Sequence, residues 1–409
     1  MSASPTPIAP AWRTPALIVV AGVLIAILTN GPRTAMGLFL PPMTEANGWS
    51  RETFALALAL QNIVWGMAQP IAGGFADKYG TSRVIIAGAL VYAVSFVIMS
   101  QADAPFILHL SAGVMMGAAI GASSFGIVIT AFSRLLPPEN RQVGFGIATA
   151  GGSLGQFLFA PITQGFISAY GWHVALILLG AMVLAVAALA PVLAGRSEKS
   201  PNVERDQSIS EALKEALSER NYILLLVGFF VCGFQVAFIT AHFPAYVADL
   251  GIEPRYAVIA LALIGLFNIV GSIASGIIGQ RRSKPMMLVW IYLGRSVLVT
   301  AFLLLPKSGT SVIIFAAIMG LLWLSTVAPT NALVATFFGT RHLGLLGGIV
   351  FLSHQVGSFL GVWLGGYLRD QTGSYDGVWW LGVALGVFAA IVHWPIREAS
   401  VTRPAAVPA

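Results

Sequence analysis

Charged side chains are scarce in this chain: Asp, Glu, Lys and Arg make up 9% of its 409 residues, against 57% apolar. A soluble domain carries roughly a quarter charged residues, and no soluble interior could hide so much apolar surface. Cysteine is nearly absent as well. The lone Cys232 lies inside an apolar run, which excludes a disulfide framework and a thiolate metal site and leaves it a small packing residue. Acids are missing from the middle of the apolar runs: all 16 Asp and Glu fall in polar stretches or at run ends. Nothing reads as a nucleotide-binding glycine loop, a metal-ligand spacing or a nucleophile–base–acid set. The sequence therefore implies no enzyme, no cofactor, no metal and no nucleic-acid partner. The polar, proline-rich Met1 to Pro15 carries one charge, Arg13, and lacks the charged start, short apolar core and small-residue cleavage site of a signal peptide. The first apolar run is therefore expected to be retained.

What remains is apolar length. In lipid a backbone satisfies its hydrogen bonds only as helices or closed barrels, and barrels need short alternating strands. Here the runs are continuous for about twenty residues, the length of a helical span. The spans expected are 15–40, 54–75, 83–101, 105–132, 141–167, 172–194, 221–247, 256–279, 285–305, 310–337, 343–368 and 377–396. The fold class is thus all-α membrane, twelve helices in two six-helix halves, 1–194 and 221–409, joined by a polar linker, 195–220. Within the linker, Ser208 to Glu219 has the pattern of a short amphipathic helix.

Basic residues set the orientation. Placing the N-terminus in the cytoplasm leaves only Arg51, Arg255, Lys307 and Arg369 outside. Arg33 and Arg295 lie inside spans, and the other sixteen of the 22 Lys and Arg fall on the cytoplasmic side. A multi-pass protein of the cell membrane (a bacterial inner membrane) follows, with both termini cytoplasmic. It is expected to act as a monomer whose surroundings are the lipid bilayer.

The halves echo each other. Each has a basic loop after its second span, and each has a glycine-rich fifth span ending in a glycine–aromatic turn, Gly151 to Trp172 and Gly357 to Tyr375. Such repeats mark transporters that rock around a central site. The run Gly73-Gly74-Phe75-Ala76-Asp77-Lys78-Tyr79-Gly80-Thr81-Ser82-Arg83 resembles the signature loop of the major facilitator superfamily. That resemblance implies gating by Asp77 and Arg83 with Arg134 at the end of the fourth span, an Asp77–Arg134 pair holding the outward-open state. Plain positive-inside topology is the competing explanation of the same basic residues.

A narrower resemblance spans nearly the whole chain. Pro32 to Phe39, the fifth-span run Gly144 to Gly155 with Ala160-Pro161 and Gly171-Trp172, and Leu364 to Asp370 with Gly373 and Tyr375 are similar to segments of the monocarboxylate porters, which include relatives of oxalate/formate antiporters. The resemblance implies a secondary transporter of small organic anions, with a small organic carboxylate and a proton as partners. Two departures stand out: Arg33 replaces the family's lysine, and in the eighth span Asn268 is followed by Ser272 where an arginine is usual. Anion exchange without a proton site on the protein is the alternative mechanism. A drug or organic-anion exporter and a non-transporting sensor are further alternatives; the fifth span lacks the exporters' Gly-Pro motif and no output domain is evident.

The mid-span polar residues point the same way. A charge at the bilayer centre costs about 2.5–3.5 kcal/mol on insertion scales, so Arg33 and Arg295 each need a reason. With no buried acid to neutralise them, the available anion is a substrate, which a guanidinium grips bidentately. Arg33 follows the helix break Asn30-Gly31-Pro32 and is the stronger candidate; binding to local carbonyls is its alternative. For Arg295 a structural role and substrate contact stand equal. His354 is the mid-span group that titrates near neutral pH and is the candidate for proton coupling and substrate contact, with a plain core histidine as the alternative and His242 behind it. Asn268, Asn62, Gln156 and Gln235 either line the site or merely join helices. His109, His173, His342 and His393 are expected at the membrane interface.

Overall fold

The computed structural model describes residues 13–136, 138–195, 209–339 and 343–401. Among them, eleven helices are long and apolar enough to cross a membrane. One of these, Gly146–Leu193, runs for 48 residues, about 70 Å at 1.5 Å per residue and more than twice the ~30 Å hydrocarbon core. At Gly171 its backbone leaves the helical region (φ 76°, ψ 167°), a conformation open to glycine and costly for other residues. It therefore makes two passes, and the expected twelve spans are present.

We label them α1 (Pro15–Asn47), α2 (Arg51–Tyr79), α3 (Thr81–Ser100), α4 (Pro105–Phe132), α5 and α6 (Gly146–Leu193, before and after Gly171), α7 (Arg220–Asp249), α8 (Pro254–Gly279), α9 (Lys284–Leu304), α10 (Gly309–Phe338), α11 (Leu343–Thr372) and α12 (Asp376–His393). An amphipathic helix, Ile209–Ser218, occupies the linker as its pattern predicts. One end of the molecule, the linker side, gathers Arg13, Thr81, Gly195 and the Lys284–Glu398 ion pair. The opposite end is the loop side.

Three spans are not single helices, and the break in the first has a chemical cause. In α1 the helix stops at Thr34 and resumes at Leu40 after a tight turn, Met36–Phe39. Pro32 supplies no N–H to the preceding turn, and the Thr34 hydroxyl donates back to the Gly31 carbonyl at 2.8 Å. α4 breaks at Ser124, whose backbone is extended. α10 breaks between Leu322 and Val327. Breaks inside a membrane are tolerated where the freed groups are buried in protein or line a cavity.

The halves meet along three pairs: α2 with α11 and α5 with α8, which run antiparallel, and α1 with α7, which run parallel. Glycines permit the approach. At Gly366 of α11 an added Cβ would stand 2.6 Å from Cβ of Ala55, and at Gly265 of α8 it would stand 2.7 Å from N of Phe157. One apolar cluster runs through this seam, joining Phe39, Phe54 and Leu58 to Ala241, Leu261 and Val362. The contact is lopsided. Toward the linker side, Gly73 and Gly74 of α2 and Gly348 of α11 have no atom within 4 Å of where a Cβ would be. The halves are closed at the loop side and parted at the linker side.

Candidate functional site

Arg33 lies at the α1 break, between the two halves and half-buried. Its Nη2 donates to Oδ1 of Asn62 at 2.7 Å, and its guanidinium carbon stands 4.5 Å from the Trp65 ring centroid. Its Nε is buried without a hydrogen-bond partner. A guanidinium has five donors, so an amide and an indole face leave capacity for an anion. Asn62 is itself fixed, donating to the Leu58 carbonyl at 2.9 Å. α2 thus presents a positioned amide and a flat aromatic face to the α1 cation.

The other half supplies the opposite wall. Phe351 of α11 meets Trp65 edge-on at 5.1 Å, and the His354 ring lies parallel to Phe351 at 5.9 Å. Nδ1 of His354 is 3.0 Å from Oε1 of Gln355, whose amide donates across the seam to the Asn62 carbonyl at 3.0 Å. Arg33, Asn62, Trp65, Phe351 and His354 therefore form one chain of contacts across the interface. Its members are a fixed cation, a titratable ring and aromatic surface.

Arg295 is arranged differently. It is 1% exposed, and its donors are taken up by the carbonyls of Leu322 (2.7 Å) and Trp323 and by Oε1 of Gln235 (3.2 Å). Those carbonyls are the ones the α10 break sets free, so the guanidinium caps a helix C-terminus, where positive charge is favourable. Gln235 also donates to the Gly382 carbonyl at 2.9 Å. Asn268 joins three spans, donating to Ser153 of α5 (2.9 Å) and accepting from N of Leu324 at the α10 break (3.0 Å). Gln156 reaches the Leu261 carbonyl at 3.4 Å. These four side chains bond spans to one another, whereas the Arg33 group retains an unpartnered donor.

The loop side is held by a second polar cluster. Arg51 of α2 forks onto Asp249 of α7, both distances 2.6 Å, and Arg369 of α11 joins the same carboxylate at 2.9 Å. Asp370 accepts from the amides of Arg51 (3.2 Å) and Glu52 (2.6 Å), capping the start of α2. Trp363 donates to Glu52 at 3.0 Å. Burial pushes the Tyr375 phenol, in the turn after α11, up to about 12, so it keeps its proton while Arg51 donates to its oxygen at 3.1 Å.

Residues 22–361 match the Major Facilitator Superfamily. The chain belongs to that superfamily. This facilitator is 24% identical over 365 residues to the MFS-type transporter YcxA of Bacillus subtilis (strain 168), covering 85% of this chain and 87% of the relative. It is 24% identical over 364 residues to monocarboxylate transporter 13 of Rattus norvegicus, covering 87% and 82%. Among solved structures, a bacterial homolog to the human lysosomal transporter Spinster, inward-facing and unoccupied, superposes with a TM-score of 0.70 over 94% of this chain and 97% of that one, at 15% identity. A D-xylose-proton symporter gives 0.70 over 94% and 98%, at 13%. The protein is a multi-pass membrane transporter related to the monocarboxylate transporters, with the fold of transporters and not of enzymes.

The expected gating residues fare unevenly in this facilitator. The Asp77 side chain lies outside the described residues. Arg134 donates to the Ala76 carbonyl at 3.4 Å, which puts the end of the fourth span against the end of α2. Arg83 lines an apolar groove with Ala68, Phe75 and Tyr79. His393, expected at the interface, is instead fully buried, stacked on Tyr292 and filling the space left by Gly228; His342 lies outside the described residues. The loop-side cluster escaped the sequence reading, which took Arg51 as an outside charge and Arg369, Asp370 and Tyr375 as part of a porter-like segment without joining them. A signal for it existed: Gly365-Gly366-Tyr367-Leu368-Arg369-Asp370 repeats the spacing of Gly73-Gly74-Phe75-Ala76-Asp77-Lys78.

Proposed function

We propose that this facilitator carries a small organic carboxylate by alternating access, that Arg33 binds the carboxylate, and that His354 supplies the proton dependence of binding. One observation carries the reading. Arg33 is a mid-span guanidinium bonded to a neutral amide, with a buried N–H left over and, among the described residues, no acid bonded to it. Arg295 differs on this point, since carbonyls and an amide occupy it. The anion that completes Arg33 is then the cargo, and Trp65 and Phe351 offer its carbon skeleton an apolar face. An imidazolium at His354 would add a second charge on the facing half, so proton and carboxylate would favour each other's binding. The excess of basic residues on the linker side assigns that side to the cytoplasm. The conformation, closed at the loop side, is then inward-facing.

The test is a thermal-shift screen of purified protein against small carboxylates at about pH 5 to 8. Wild type should be stabilised by at least one carboxylate, and Arg33→Ala should lose that stabilisation while keeping its ligand-free melting temperature. Arg33→Lys should bind more weakly because the bidentate geometry is gone. In His354→Gln the affinity should remain but stop depending on pH. Unchanged affinity in Arg33→Ala removes the assignment.

A further inference from the structure

The loop-side cluster continues inward to a buried histidine. His242 of α7 is fully buried. Its Nε2 lies 2.7 Å from the carbonyl of Val362 in α11, and its Nδ1 lies 3.3 Å from the Tyr375 hydroxyl. A carbonyl only accepts, so Nε2 carries the hydrogen and Nδ1 of the neutral ring is an acceptor. The Tyr375 proton therefore points to His242, leaving the phenol oxygen free to accept from Arg51. A directed series results: Arg51 to Tyr375 to His242 to Val362. It links α2 of the first half to α7 and α11 of the second, alongside the Arg51–Asp249 fork. Gly365 makes room for the ring, since a Cβ there would stand 2.6 Å from Nε2 of His242.

We infer that His242 is a proton-binding site that controls the loop-side closure, separate from the Arg33 site and independent of what the protein carries. The bond direction gives the sign. A proton on Nδ1 turns an acceptor into a donor. The Tyr375 oxygen then faces two cationic donors, Arg51 and the imidazolium, and its own hydrogen loses its partner. The other charges around the ring do not compensate: Asp249 is shared by Arg51 and Arg369, Asp370 is engaged by the α2 amides, and Glu52 is held by Trp363. Protonation therefore weakens the bonds that hold α2 to the second half. By reciprocity, opening the loop side and protonating His242 favour each other. The site takes its proton from the loop side and gives it up as that side shuts.

The experiment needs no substrate. In a Cys232→Ser background, spin labels at Ala46→Cys and Gln371→Cys bracket the loop side, and their distance distribution is recorded in detergent from about pH 5 to 8. In wild type the fraction of long distances should rise on acidification. One coupled proton changes the open-to-closed ratio by up to about tenfold per pH unit. His242→Gln offers a fixed donor to Val362 and a fixed acceptor to Tyr375, so it should stay closed at every pH. Tyr375→Phe should raise the open fraction at high pH and flatten the profile. His354→Gln should keep the wild-type response, which separates this site from the substrate reading. A pH response that survives His242→Gln and Tyr375→Phe unchanged, or a wild type with no response, overturns the inference.

Discussion

Two arginines sit at similar depth and do different things, and the difference is written in their partners. Arg33 stands beside a proline whose missing N–H breaks its own helix, so it borders the seam and keeps a donor in hand. Arg295 stands opposite someone else's break and closes it, its donors spent on Leu322 and Trp323. Removing such a cap leaves buried carbonyls unsatisfied, at about 1–3 kcal/mol each. Arg295→Ala should therefore melt well below wild type, while protein that remains folded keeps its carboxylate affinity. Arg295→Lys should recover part of the loss, since one ammonium reaches fewer acceptors than the fork. A melting temperature that stays at wild type while ligand binding disappears would make Arg295 a substrate residue instead. Sequence alone ranked Arg33 first but left Arg295 open between structure and substrate, because the carbonyls that occupy it come from a break in α10 that carries neither proline nor glycine at residues 323–326.

The elements themselves were legible, because lipid leaves a chain with this apolar length no option but helices, and Gly171 marks the double pass with a backbone few other residues adopt. Which helix faces meet was less legible, since small residues suit lipid, a partner helix or an opening equally well. The structure separates these uses. On α11, Gly366 is pressed against Ala55 and Glu52 of α2, whereas a Cβ added at Gly348 of the same helix would meet no neighbouring element within 4 Å. Opposite substitution effects follow. Gly366→Leu should wedge the loop side apart and raise the long-distance fraction between labels at Ala46→Cys and Gln371→Cys. Gly348→Leu fits the present conformation without contact but obstructs closure at the other end, so it should fold normally and transport poorly. If Gly366→Leu leaves the loop-side distance unchanged, the seam is not held by that approach.

At the scale of the molecule, α2 and α11 form one antiparallel seam that carries a similar signature at both ends. At the loop end, Gly366 lets the helices touch, and Asp370 takes the first amides of α2. The contact of Gly66 with Gln355 fixes the register. Moving linker-ward by two turns, about seven residues, brings Gly73 opposite Gly348. One further turn, about four residues, brings Asp77 opposite Gly344, at the start of α11. We therefore predict that linker-side closure lets Asp77 take the first amides of α11 as Asp370 takes those of α2, with Arg134 bracing that end of α2 through the Ala76 carbonyl. A carboxylate at a helix N-terminus is worth about 0.3–1 kcal/mol, which corresponds to a roughly two- to fivefold bias toward the closed form. The check is disulfide formation between Gly73→Cys and Gly348→Cys in the Cys232→Ser background. The bond should form only in molecules whose linker side has closed, and more slowly by about that factor when Asp77→Asn is added. Arg134→Ala should slow it further by loosening the end of α2. Cross-linking at the same rate with Asp77 replaced would leave the linker-side closure to packing alone and deny the two ends a shared device.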